Sequence, residues 1–232
     1  MRARNGENFL QIDGAYTNYR FRERRTVTTI ARYGNLGNFS YAEVGISGGA
    51  SVRPVIAHKN AFYTQVMGPT ANGADSFAWV AVEGGVGTTF DIWIFDSAPP
   101  VNTPGDYGLR VKKADWGIAF NSQLDWFKPV SEASGFPSSN QDPGNLYLPG
   151  AVDLGIVQMV SAFQLVYLNL PPGPGGVRFN IGHWPLMHRR SSINSIFAAY
   201  QTVGQSGPFT GSAATGGSKL AYGFMGVELN GL

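Results

Sequence analysis

Cysteine is absent from this chain. A disulfide frame, a Cys-ligated zinc and a thiol nucleophile are thereby excluded. Charge is scarce as well: charged residues are 14% of the sequence and the formal net charge is +2. So small an excess does not suit a chain that must neutralise many phosphates, and no nucleic-acid partner is expected. Histidine occurs only at 58, 183 and 188. His183 and His188 are five apart with Pro185 between them, so they share neither a helix face nor a strand parity. No metal and no other cofactor is expected, and all three histidines read as loop or surface residues. Long apolar runs are missing too. The most apolar window, Leu154 to Leu170, is interrupted by Gln158, Ser161, Gln164 and Asn169 and follows Asp153. A membrane-crossing helix needs about 20 mostly apolar residues, so none is expected. The opening MRARNGENFLQIDG has no apolar stretch behind its basic residues and does not read as a secretory leader.

What is present is glycine, proline and aromatic side chains. The 232 residues include 31 Gly and 14 Pro, with 13% aromatics and 43% hydrophobics. Disordered chains are poorer in aromatics and richer in charge, and collagen needs glycine at every third position. Apolar and polar residues alternate with period two in many short segments, the signature of half-buried strands. Phe9–Asp13 and Tyr19–Arg22 read as a hairpin across 14–18. Residues 26–33 form one β-branched, aromatic strand. Residues 77–82 and 90–95 read as strands joined by a glycine-rich hairpin turn, since Gly permits positive φ. Residues 107–111 and 118–122 form a second hairpin. Stretches 131–150, 171–176 and 204–217 read as loops, with a brief pairing of Leu146-Tyr147-Leu148. Residues 154–170 form a bulged strand or two short ones, and Gly226, where the parity of the last strand switches, marks a bulge. Ile193, Ile196, Phe197 and Tyr200 have helical spacing but suit a strand equally. The expected class is all-β: an antiparallel sandwich or barrel-like set of hairpins with long Gly/Pro-rich loops and little helix. Ser97-Ala98-Pro99-Pro100 divides the chain into 1–98 and 99–232, two β-rich subdomains or one domain. No fixed-period repeat is visible, only the similar hairpins 9–21 and 107–120.

Few motifs carry chemistry. Gly45-Ile46-Ser47-Gly48-Gly49 matches the nucleophile-elbow pattern, but Pro54 and strand-type residues follow where a helix is required. In 211–219 no hydroxyl residue follows Lys219, so a phosphate loop is rejected. Asp91, Asp96, Asp106, Asp115 and Asp125 are acids beside turns, and nothing selects a glycosidase pair. No catalytic residue is assigned. The sharpest cluster is Arg20-Phe21-Arg22-Glu23-Arg24-Arg25, which places Arg20, Arg22 and Arg24 on one side of a strand. It reads as a charged edge that resists aggregation or as a contact for an acidic neighbour. Of the tryptophans, Trp79 and Trp93 read as core, Trp116 as a hairpin tip and Trp126 as following a strand, where aromatics mark interfaces. The candidate interface residues are therefore Arg20, Arg22, Arg24, Arg25, Trp116 and Trp126.

Two segments resemble a known family. Phe9-Leu10-Gln11-Ile12-Asp13-Gly14-Ala15-Tyr16-Thr17-Asn18-Tyr19 is similar to the opening hairpin of small structural proteins from the tail tip or baseplate of tailed bacteriophages. Tyr107-Gly108-Leu109-Arg110-Val111 through Gly117-Ile118-Ala119-Phe120-Asn121-Ser122 resembles their second recurring motif. The cluster Arg22-Glu23-Arg24-Arg25 departs from the neutral turn of that pattern. The resemblance implies a non-enzymatic virion component, made in the host bacterial cytoplasm and docked on other phage tail proteins in several symmetric copies. The alternative is a carbohydrate- or receptor-binding sandwich that touches a host-surface glycan through Trp116, Trp126 or Tyr147.

Overall fold

A computed structural model describes residues 2–4, 10–13, 19–49, 54–97, 109–112, 114, 118–121, 125–136, 142–148, 153–174, 176–210, 218–230 and 232 of the chain. The strands in order are β1 (Arg2–Arg4), β2 (Leu10–Asp13), β3 (Arg20–Thr28), β4 (Ala31–Arg32), β5 (Phe39–Ile46), β6 (Val55–His58), β7 (Thr64–Asn72), β8 (Asp75–Glu83), β9 (Thr89–Asp96), β10 (Arg110–Lys112), β11 (Ile118–Asn121), β12 (Pro129–Gly135), β13 (Gly144–Tyr147), β14 (Leu154–Val160), β15 (Phe163–Gly173), β16 (Gly176–Ser192), β17 (Ser195–Tyr200), β18 (Gly204–Thr210) and β19 (Tyr222–Glu228). The fold is nearly all β and antiparallel, as the alternation predicts. Sheet I has the order β12-β19-β14-β6-β9-β3, and sheet II the order β13-β17-β16-β7-β8-β5-β4 with β15 and β18 added on β16.

Alternation decides which face each strand buries. In β5, Ala42, Val44 and Ile46 point inward, and in β8 so do Ala78, Val80 and Val82. Across the sandwich they meet Val27, Ile56, Phe90, Ile92 and Ile94. A second cluster holds Leu148, Leu154, Ile156, Ala162, Leu186, Ile196, Ala198 and Phe224. Each large side chain buried this way contributes roughly 1.5–3 kcal/mol, so these two cores supply most of the cohesion. Sheet I is apolar on its outer face as well, where Ala57, Trp93, Phe95, Val157, Val227 and Leu229 cluster with Phe21, Phe127 and Met225.

The pairing reveals an internal repeat that the sequence does not display. In the first half, β9 pairs with β3 and β6, and β8 with β5 and β7. In the second, β19 pairs with β12 and β14, and β17 with β13 and β16, in the same chain order. The preceding two-stranded ribbons match residue for residue. In β1–β2, Arg2 faces Asp13, Ala3 faces Ile12 and Arg4 faces Leu10. In β10–β11, Arg110 faces Asn121, Val111 faces Phe120 and Lys112 faces Ile118, with the register shift at the same step. The two halves join antiparallel at the middle of each sheet, β6 to β14 and β7 to β16. Both ladders thus run across the division at residue 98. Among the described residues only the second half carries an arm: β15, the first part of β16, and β18 form a three-stranded ribbon.

Several expected local pairings differ. Residues 9–21 are not a hairpin, because β2 pairs with β1, while β3 matches Phe21 to Phe95 and Val27 to Phe90 on β9. Strands β8 and β9 do not form a hairpin either. Val80 and Val82 face Ile92 and Ile94 across the core, so the glycine-rich link at 84–87 carries the chain from sheet II to sheet I. Residues 26–33 break after Thr28, and the chain changes sheet at β4. Loop expectations at 131–135 and 204–210 become β12 and β18, whose side chains lack clear alternation but whose backbones add to β19 and β16. The ambiguous 193–200 segment is a turn followed by β17, and 154–170 is two strands, β14 and β15, in different sheets. The 107–122 hairpin is present as β10–β11. Its tip residue Trp116 and the connection 98–100 lie outside the described residues.

Candidate functional site

The two halves meet through few backbone pairs, and both junctions contain a histidine. In sheet I the β6–β14 pairs are His58–Ile156 and Ala57–Val157, and in sheet II β16 meets β7 at His188–Thr64. The two imidazoles are fully buried and bridge the sheets, Nε2 to Nε2, at 2.8 Å. The loop and surface reading of His58 and His188 is therefore wrong: each alternates into the core from a central strand. The Asn60 N–H donates to His58 Nδ1 at 3.2 Å, which places the His58 proton on Nε2, from where it is donated to His188 Nε2. The His188 proton then sits on Nδ1, which is buried without an acceptor, while the His188 ring packs on Phe224 at 4.6 Å. Burial pushes both histidines below their usual range, and His58 adds repulsion at His188. Other polar groups knit the same seam. Asn60 Nδ2 donates to Thr64 Oγ1, Arg190 N–H to Asn60 O, and Val66 N–H to Gln158 Oε1 across the sheets. Gln158, which interrupts the apolar run in the sequence, is thus a tie between layers.

The arginine cluster lies on β3, the last named strand of sheet I, whose first residues bridge to residues 125–127. Arg22 occupies a register shift between Phe21 and Glu23, so strict alternation through Arg20, Arg22 and Arg24 does not hold. Arg22 Nη1 donates to Asp96 at 3.1 Å and Arg20 approaches the same carboxylate at 3.8 Å, although the Asp96 side chain is only 2% exposed. Arg24 pairs with Asp91, and Arg25 with Glu23 at 2.5 Å. Hydrogen bonds from Thr26 and then Arg24 hold the Asp91 carboxyl below its usual range. Arg22 also donates to Ser47 O and Arg25 to Gly45 O, at the end of β5 in the other sheet. These arginines clamp the open end of the sandwich with carboxylates of their own chain. Trp126 is 6% exposed and bridges to Arg20, so it is a packed residue rather than a projecting one. Tyr147, by contrast, is 64% exposed.

Sequence reading misses a surface feature on the outer face of sheet II. Trp79, expected in the core, is 40% exposed there because β8 gives its other parity to the interior. Its cross-strand neighbours are Glu43 on β5 and Met67 on β7. Trp79 Nε1 donates to Glu43 Oε1 at 3.2 Å. One row along, Tyr41 and Gln65 flank Ala81, which is fully buried in a cluster with Phe39, Met187 and Val203. Tyr33 reaches over, donating to Gln65 Oε1 at 3.1 Å and touching Met67 Sδ at 3.5 Å. Beside Trp79 lies a cavity of about 290 Å³ lined by Tyr33, Tyr41, Met67 and Trp79. A second cavity of about 360 Å³ shares Tyr33 and Met67 and extends to Trp184 and His183 at the arm.

At the elbow-like motif, β5 ends at Ile46 and Ser47-Gly48 form a turn, with Gly48 N–H donating to Asp75. Among the described residues no group of three or more His, Asp or Glu could hold a metal ion. Nor is any helix among them long and apolar enough to cross a membrane. Comparison with protein-family models, with curated proteins and with solved structures returns no match.

Proposed function

We propose that the chain is a non-enzymatic structural component of a bacteriophage tail, seated at the tail tip or baseplate and docked on neighbouring tail proteins in several symmetric copies. The internal repeat carries this reading. Two like modules share both sheets and form a stiff block that offers similar surfaces twice, which suits a part gripped by neighbours in a symmetric assembly. The second of the two tail-like segments supports it, since 107–122 contains the paired strands β10 and β11. The arm of β15, β16 and β18 supplies a projecting surface for a neighbour.

Imaging of purified particles with a tagged copy of the chain tests the proposal. Density at the tail tip or baseplate, together with co-purification of a second tail protein, is the expected result. A chain that stays monomeric and associates with neither particles nor any tail protein removes the reading.

A further inference from the structure

We propose that the hollow beside Trp79 is a binding site for a methylated ammonium head group, a choline-type cation. Its lining is three aromatic residues and a thioether: Tyr33, Tyr41, Trp79 and Met67. Aromatic faces attract cations through the ring quadrupole, and quaternary ammonium groups are bound in cages of this composition. Methionine sulfur is polarizable and fits methyl groups. Glu43 stands beside the hollow with its carboxylate held by the Trp79 indole N–H, adding negative charge at the rim. No basic side chain lines the cavity.

Elsewhere in the molecule aromatic rings already have cations. Arg24 and Lys59 both lie over Trp93, at 5.1 and 4.6 Å, and Arg189 lies over Tyr63 and Phe197. The same chemistry at Trp79 has a carboxylate as neighbour instead of a cation. The volume, about 290 Å³, lies just below the roughly 300–1,000 Å³ usual for small-molecule sites and therefore suits a head group. Tyr33 is positioned to close one wall, because its hydroxyl is anchored on Gln65 and Met67. A sugar ring could also stack on Trp79, but this hollow is walled by rings and sulfur, whereas sugar hydroxyls demand many hydrogen-bonding groups.

Calorimetric titration of the intact chain tests the site with choline, phosphocholine, glucose and 3,3-dimethyl-1-butanol, the uncharged counterpart of choline. Saturable binding of choline and phosphocholine is expected, with the neutral alcohol about tenfold weaker or worse. Trp79→Ala abolishes binding, while Trp79→Phe restores part of it. Glu43→Gln weakens binding yet still accepts the indole N–H. Both positions are on the surface, and an unchanged thermal melt establishes that each variant is folded. Vesicles of phosphatidylcholine identify the source: binding to vesicles points to a membrane head group, and binding to free phosphocholine alone points to a soluble or polymer-borne one. Equal affinity for the neutral alcohol, preference for glucose, or no heat with choline overturns the proposal. None of these outcomes depends on where the chain sits in a particle.

Discussion

His58 and His188 form a buried pair with no carboxylate among the described residues acting on either ring, so the folded chain holds both neutral. Their folded pKa values lie below the ordinary value of about 6.5 that an unfolded chain recovers. As pH falls through that value the unfolded chain takes up protons and the folded chain does not. Stability is therefore complete above about pH 6.5 and declines below it, by up to about 1.4 kcal/mol per pH unit for each histidine. Urea midpoints from about pH 8 down to about pH 5 should be flat and then fall. A midpoint constant over that range contradicts the buried neutral pair. His188→Leu leaves the His58 Nε2–H without an acceptor and should destabilise by about 1–3 kcal/mol at neutral pH. The double change H58L/H188L removes the unpaired Nε2–H but strands the buried Asn60 N–H, so it should recover only part of that loss while flattening the acid limb. At the clamp, Asp96→Asn removes the shared charge between Arg20 and Arg22 and should destabilise by about 1–3 kcal/mol. Arg24→Ala, at a side chain 53% exposed, should change stability by less than about 1 kcal/mol. Neither the histidine pair nor the clamp was legible in the sequence. His58 and His188 are 130 positions apart, and what pairs them is a register between distant strands.

Strands were legible where alternation was clean and ambiguous where pairing alone made them. Residues 77–82 and 90–95 announce themselves because β-branched and aromatic side chains fill one face. That same strength misled about the connection, since two apolar faces can lie side by side or stack across a core. Strand β12 has Ser131 at a buried position where an apolar residue would signal a strand, and it pairs along its length with β19. The parity switch at Gly226 was readable, but the register shift lies opposite it, between Pro129 and Ser131 on β12. A side chain at Gly226 would meet Ser131 Oγ at 2.5 Å and Leu154 Cδ1 at 2.6 Å. Gly226→Ala should therefore destabilise by about 1–3 kcal/mol through overpacking. Gly45→Ala is the control on a strand facing solvent, where nothing lies within 4 Å. It should be neutral or stabilising by up to about 1 kcal/mol. Thermal denaturation of the two variants separates close packing from mere strand propensity; equal losses would mean that the approach at Gly226 is slack.

At the scale of the whole molecule, the sequence reading likens 9–21 to 107–120, whereas the duplication matches the ribbon β1–β2 to β10–β11 and extends through twelve further strands. Side chains have diverged while the order of pairing has persisted, because a ladder is made by backbone groups that every residue carries. Each half leaves one strand in each sheet open at the seam, β6 and β7 on one side and β14 and β16 on the other. Fragments 1–98 and 99–232 produced separately should therefore combine one to one, and neither should be stable and monomeric alone. Size-exclusion chromatography of the mixture checks this, and two independently folded, non-associating fragments would contradict it. In hydrogen exchange, acid should release the amides of β6 and β14 before those of β5 and β8, because the histidine seam weakens first. The arm gives the doubled body a direction. A partner that recognised only the features common to both modules could approach in two ways, half a turn apart. One that also touches β15 or β18 finds its match on a single side, so a part built from near-equal halves can still be installed with only one end forward.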